Sequence, residues 1–174
     1  MNNNQIVGLE IRETSLSDLN HILLLWNNGD VMKFVGYPNG LGMSIERLQK
    51  WYQYLESNRP KINHYSIYDQ ELGYCGETFY SIDSYQYASL DIKLFSKARG
   101  KGIANKALSY AIEEAFKHGA EKVWVDPNPN NLSAIKLYKR LGFTESVMPK
   151  HLIDKEALDS VEFQPIYMEK QKNI

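Results

Sequence analysis

With Cys75 as its one cysteine, the chain has no means of building an internal disulfide framework or a cysteine metal cluster. It also lacks an excess of either charge. Twenty lysines and arginines stand against 21 aspartates and glutamates, a net charge of −1, so no basic field is offered to nucleic acid or to an anionic membrane. No apolar run approaches the roughly 20 residues of a membrane span. The opening Met1-Asn2-Asn3-Asn4-Gln5 has neither the basic start nor the apolar stretch of a secretory leader. No internal repeat or low-complexity linker interrupts the 174 residues, so a single domain spanning 1–174 is expected. These absences predict a soluble cytoplasmic protein, monomer or homodimer, with no nucleic-acid or membrane partner. What is plentiful is aromatic: 12 tyrosines, three tryptophans and six phenylalanines suit a strand-rich core and a stacking surface.

Periodicity divides the chain. Leu9 to Arg12 alternates as a short strand, and Leu19, Ile22, Leu23 and Trp26 then fall at helical spacing, with Ser15 and Asp18 as the N-terminal cap. Asn27-Asn28-Gly29-Asp30 ends that helix, and Gly36 to Gly42 reads as a loop. Ser44 caps a second helix carrying Ile45, Leu48, Tyr52 and Leu55 on one face. Past Pro60 the period becomes two, with strands predicted at 64–68, 74–82 and 88–95. In the last of these Leu90, Ile92 and Leu94 share one face, and Ser89, Asp91 and Lys93 the other. A helix to His118, a strand from Lys122 to Asp126, a helix from Asn131 to Leu141 and a strand from Phe143 to Val147 follow. A final strand is placed at about 163–169. The order is mixed α/β, antiparallel at first, then crossing over at a glycine loop.

That loop is Lys97-Ala98-Arg99-Gly100-Lys101-Gly102-Ile103-Ala104, at the start of the helix to His118. Glycines let backbone approach a ligand, and the unpaired amides of a helix start accept an anion, so the layout suits a pyrophosphate. The dinucleotide fingerprint fails, because its third glycine would fall at Asn105. A phosphate-binding P-loop fails as well, since no Gly-Lys-Ser/Thr follows at the required spacing. On the loop alone, a plain glycine turn with solvated Arg99 and Lys101 remains open.

Further on, Asn131-x-x-Ala134-x-x-x-Tyr138-x-x-x-Gly142-Phe143 resembles the signature of the GNAT acetyltransferase superfamily. The glycine loop resembles that family's Arg/Gln-x-x-Gly-x-Gly/Ala motif, with Lys97 standing where Arg or Gln is usual. The resemblance covers about residues 82–143 and implies an α/β GNAT fold with a mixed central sheet, splayed at the cofactor site and flanked by helices. It implies acetyl-CoA as donor, with no metal. The pantetheine arm would lie along Leu94 and Phe95, and the pyrophosphate on Arg99, Gly100, Lys101, Gly102, Ile103 and Ala104. Asn131 would reach the pantetheine, although a capping role explains that residue equally well.

For the chemistry, the resemblance sets Tyr138 beside the coenzyme A sulfur, where a phenol can protonate a leaving thiolate. An amide near Leu94 would hold the oxyanion. Three carboxylates are candidate bases: Asp126, Asp91 and Glu77. The segment around Asp126 is similar to aminoglycoside 6′-N-acetyltransferases, in which that aspartate is a proposed base or substrate anchor. Beginning a Pro-rich turn is the other reading of Asp126. Cys75 has no histidine adjacent in sequence to activate it. His21, His64, His118 and His151 show no metal-ligand spacing and are read as structural or surface residues. The first two helices would form the acceptor wall, about residues 15–57, and the stretch from Trp26 to Pro38 also resembles enzymes that acetylate ribosomal-protein N-termini. The expected acceptor is therefore a small-molecule primary amine, a polyamine or aminoglycoside, with a peptide N-terminus as the alternative. A non-catalytic coenzyme A-binding module is the alternative from another class.

Overall fold

The period-two stretch after Pro60 becomes the centre of an open sheet in the computed structural model, which describes residues 8–153 and 164–172. Its strands are β1 (Leu9–Glu13), β2 (Ile62–Asp69), β3 (Gly73–Ile82), β4 (Tyr87–Leu94), β5 (Lys122–Val125), β6 (Thr144–Glu145) and β7 (Met168–Gln171). They lie in the order β1-β2-β3-β4-β5-β7-β6. Neighbours pair antiparallel except β4 and β5, which run parallel and are joined through the helix α4 (Ile103–Lys117).

The two faces of the sheet are covered differently. Tyr65, Tyr80, Ala88 and Leu90 pack with Leu108, Ala111, Ile112 and Ala115 of α4 in an apolar core. On the other face lie α1 (Leu19–Trp26) and α3 (Ile45–Asn58), whose Leu19, Ile22, Leu25, Leu48, Tyr52 and Leu55 form a second core with Tyr74. Strand alternation decides this, since a pleated chain sends successive side chains to opposite faces. α5 (Leu132–Arg140) adds Leu137 and Tyr138 to the first core.

The capping expectations hold. Asp18 Oδ2 accepts the Ser15 amide at 2.8 Å, and Ser44 Oγ accepts that of Arg47 at 3.3 Å. Asp18, wholly covered, also takes both terminal nitrogens of Arg12 at 2.8 Å and the Tyr68 hydroxyl.

Asn27 ends the first helix as expected, and the residues after it begin a further short helix, α2 (Gly29–Met32), capped by Asn28 Oδ1 on the Val31 amide at 3.1 Å. Gly29 and Gly40 let the following loop close against it. A Cβ on Gly29 would lie 2.1 Å from the Pro38 carbonyl oxygen, and one on Gly40 would lie 2.2 Å from that of Asn27. The strand expected over Phe143 to Val147 shortens to β6. The last strand runs Met168–Gln171, and the Phe163 end of its expected span falls outside the described residues.

Candidate active site

Parallel pairing of β4 with β5 lasts only from Tyr87↔Lys122 to Ser89↔Trp124. β4 continues to Leu94 without that neighbour, so the two strands part and open a cleft of about 1070 Å³. The glycine loop and the start of α4 line one end. Asp126, Asn131 and Tyr138 line the β5 side, and Asp30, Val31 and Phe34 close it from the α2 segment.

The open edge of β4 already carries partners. Asp91 Oδ1 accepts the Ile92 amide at 2.7 Å. Arg99 donates Nε and Nη2 to the Leu94 carbonyl at 3.1 and 3.0 Å, and Nη1 to Asp30 Oδ2 at 2.8 Å. The expectation that the pantetheine arm lies along both Leu94 and Phe95 therefore needs correcting. Phe95 gives its amide to Cys75 on β3 at 3.0 Å and does not line the cleft. Backbone dipoles left at a sheet edge cost free energy unless paired, and side chains pair them here.

Gly100 and Gly102 have φ of +73° and +78°, the left-handed region where a side chain is strained. Gly102 is the N-cap of α4 and has open space where a Cβ would stand, so the first amides of a 15-residue helix face the cleft bare. Lys97, expected to supply the loop's leading cation, turns away and donates to the Leu72 carbonyl at 2.6 Å. The motif is instead satisfied from Arg99, as Arg99-x-x-Gly102-x-Ala104, with all three residues lining the cleft. The Lys101 side chain leans into a separate shallow pocket beside Asp69 and Glu71. Its backbone stays in the loop.

Of the candidate chemical residues, Asp91, Asp126 and Tyr138 are brought to one cleft. Glu77 is not. It is 3% exposed and lies beneath the cleft wall, accepting Trp26 Nε1 at 2.7 Å with His64 Nε2 at 2.9 Å, so it cannot reach an acceptor. Asp126 keeps an opening to solvent at the cleft mouth, yet its carboxyl pKa is pushed up to about 6. The protein mass around it is the larger cause and the Asp91 carboxylate the smaller. Tyr138 is nearly covered, and burial, then Asp91 and Asp126, hold its phenol protonated well above the ordinary tyrosine range. Asn131 does cap α5, accepting the Ala134 amide at 3.3 Å, and lines the cleft as well. Cys75 is fully buried and its thiol is pushed up by that burial, which makes it a poor nucleophile.

Sequence reasoning passed over Phe34, Lys93, Lys106, Lys136 and Arg140, all of which line the cleft. Lys136 and Arg140 had a signal, being four apart on a helix and hence on one face. Phe34 had none, lying in a segment without a usable period.

The family model for an acetyltransferase (GNAT) domain matches residues 9–144. An uncharacterized N-acetyltransferase, YobR of Bacillus subtilis (strain 168), is 30% identical over 103 residues, covering 59% of this chain and 41% of that protein. The match thus spans less than half of that relative. Among solved structures, spermidine N-acetyltransferase from Vibrio cholerae, in complex with CoA and spermine, superposes with TM-score 0.76 at 20% identity over 94% of this chain and 95% of its own. Ribosomal-protein-alanine N-acetyltransferase from Brucella melitensis gives TM-score 0.70 at 23% identity over 94% and 99%. At such identities the likeness speaks for the fold alone, a mixed sheet forked beside a glycine loop. The family model reaches most of the chain, and the chain belongs to the GNAT acetyltransferase family.

Proposed function

We propose that the protein moves an acetyl group from acetyl-CoA directly to the primary amine of a small acceptor. The observation that carries this reading is the fork after Ser89↔Trp124, which sets a bare helix start at one end of a cleft and Tyr138 with Asp126 at its side. The diphosphate rests on the amides from Arg99 to Ala104, with Lys106, Lys136 and Arg140 supplying positive charge on the same side. The pantetheine amides take over the edge of β4 as an added strand would, displacing the Arg99 side chain from the Leu94 carbonyl.

Asp126, with its pKa near 6, accepts the proton of the incoming ammonium near neutral pH. The freed amine nitrogen attacks the thioester carbonyl carbon, and the edge amide of Leu94 steadies the oxyanion. The carbon–sulfur bond then breaks, and Tyr138 gives its phenolic proton to the departing thiolate. Asn131 holds both α5 and the pantetheine in place.

We take the acceptor to be a polyamine or an aminoglycoside-like amine, supported by the Asp126 carboxylate in the cleft and by the spermine bound in the Vibrio cholerae relative. Asp30 is already paired with Arg99 and Lys33, and Asp91 with Lys93, so the cleft receives one ammonium at Asp126. Thiol release from acetyl-CoA against a panel of aminoglycosides, polyamines and short peptides tests this. Turnover with small amines is expected. Turnover with peptides alone would transfer the reading to N-terminal acetylation. Thermal stabilisation by acetyl-CoA without any turnover would leave only a coenzyme A binder. With an active amine, the rate should fall as pH drops through about 6, because Asp126 becomes protonated, and Asp126→Asn should abolish that limb.

A further inference from the structure

Beneath the acceptor side of the cleft runs a line of buried polar groups that the transfer steps leave unused. Thr14 Oγ1 lies 2.7 Å from His64 Nδ1 and 2.8 Å from Ser66 Oγ. His64 Nε2 lies 2.9 Å from Glu77 Oε2, a close polar contact without hydrogen-bond alignment. Glu77 Oε1 takes the Trp26 indole, and Lys93 Nζ sits 3.7 Å from that same oxygen. Lys93 Nζ in turn contacts Asp91 Oδ2 at the cleft wall. Glu77 and Lys93 are direct partners across β3 and β4, and Asp91 is two residues along the same face.

A lysine this near the surface would ordinarily extend its ammonium into water. Here the Lys93 side chain is only 15% exposed and its charge is folded back between two carboxylates. Burial alone would favour the neutral amine, but Asp91 and Glu77 outweigh it and hold the pKa above the usual lysine value. Burial would likewise raise Glu77, yet His64, Lys93 and Trp26 together keep it ionised and below the usual range. Burying a charge is expensive unless it is paired, and this chain of groups meets that demand.

We propose that Lys93 is a positioning residue for acetyl transfer: clamped from beneath by Glu77, it holds the Asp91 side chain at the wall of the cleft that Asp126 also lines, and so sets the pH range in which Asp126 accepts a proton. The inference rests on the reading of Asp126 as proton acceptor. A second carboxylate lining the cleft pushes the Asp126 pKa up, and a cation held against that neighbour offsets part of the push. The charged or titratable groups around this point are His64 from β2, Glu77 from β3, Asp91 and Lys93 from β4, Asp30 and Arg99 across the cleft, Lys106 from α4, and Lys136, Tyr138 and Arg140 from α5. Asp30 and Arg99 are paired with each other, Tyr138 stays neutral, and among the cations Lys93 is the one in contact with Asp91.

The test is a set of three variants, each read in two ways: the pH profile of kcat/KM with an active amine, and the titration of the Asp126 carboxyl carbon by NMR on the free protein. Lys93→Met should move both midpoints up by about one pH unit, because the paired carboxylates lose their cation. Asp91→Asn should move both down, because Asp126 loses its charged neighbour. Lys93→Arg, which keeps the charge, should leave both nearly in place. Opposite movements are the signature, since a merely structural role would not give shifts of opposite sign. An Asp126 titration that stays put in both Lys93→Met and Asp91→Asn overturns the proposal, whatever happens to the rate. Titrations that move as expected beside an unmoved rate profile uphold the Lys93 role and overturn only the assignment of Asp126 as base. If Lys93→Met fails to fold, the double variant Lys93→Met/Glu77→Gln removes both members of the buried pair, and the same upward shift is required of it.

Discussion

The two faces of the sheet are built on opposite principles. Against α4, Tyr65, Leu90, Leu108, Ala111 and Val123 close a mainly apolar layer in which the buried polar residues, Asn63 and Thr78, carry no charge. Against α1 and α3, the helices cover Thr14, His64, Ser66 and Glu77 as well as leucines. Apolar packing tolerates exchange of one side chain for another of similar volume, whereas a buried charge depends on its particular partner. The face that carries Glu77 beneath Lys93 and Asp91 is thus the one whose stability hangs on individual residues.

Glu77→Ala should break this contrast most severely. It leaves His64 and Lys93 facing a hole without their anion, a loss of about 3–5 kcal/mol in folding free energy. Urea unfolding would measure it, and a loss under about 1 kcal/mol would mean the polar line is not held by charge. Leu108→Ala, on the other face, should cost about 3 kcal/mol through the cavity it leaves, with the pH profile of activity unmoved. A shifted profile in that variant would erase the distinction between the faces.

Smaller effects sharpen the contrast at the cleft itself. Tyr138 belongs to the apolar layer by its ring and to the site by its hydroxyl. Tyr138→Phe should therefore leave unfolding and acetyl-CoA affinity nearly unchanged while lowering kcat about a hundredfold. Undiminished kcat removes the general acid. Gly102→Val should weaken acetyl-CoA binding about tenfold or more, because a branched residue at φ +78° is strained and its side chain fills the space before the helix amides. An unchanged dissociation constant by calorimetry would refute the diphosphate site.

The sequence made some of this plain and hid the rest for physical reasons. The glycine loop, the signature on α5 and the alternation of Ser89, Asp91 and Lys93 against Leu90, Ile92 and Leu94 are local patterns, and local patterns survive in one dimension. α2 escaped notice because four residues display no period, only a cap at Asn28. The leading cation of the loop was assigned to Lys97 because spacing from the first glycine admits it. Only the turn of its side chain toward Leu72 separates it from Arg99. Glu77 was expected in the cleft because alternation tells which face a residue takes and not what covers that face. Its cover includes Trp26, 51 positions away in the chain.

One residue with no side chain governs the spacing of all these charges. At Gly76, φ is +152° and a Cβ would stand 2.0 Å from the Lys93 carbonyl oxygen and 2.9 Å from the Leu94 Cα. Two neighbouring strands touch there as closely as main chains can, one position before Glu77 meets Lys93. Any larger residue would act as a wedge, driving Lys93 away from Glu77 without entering the cleft. The pairing of Lys93 with Glu77 accordingly answers to a hydrogen atom on the far side of a wall.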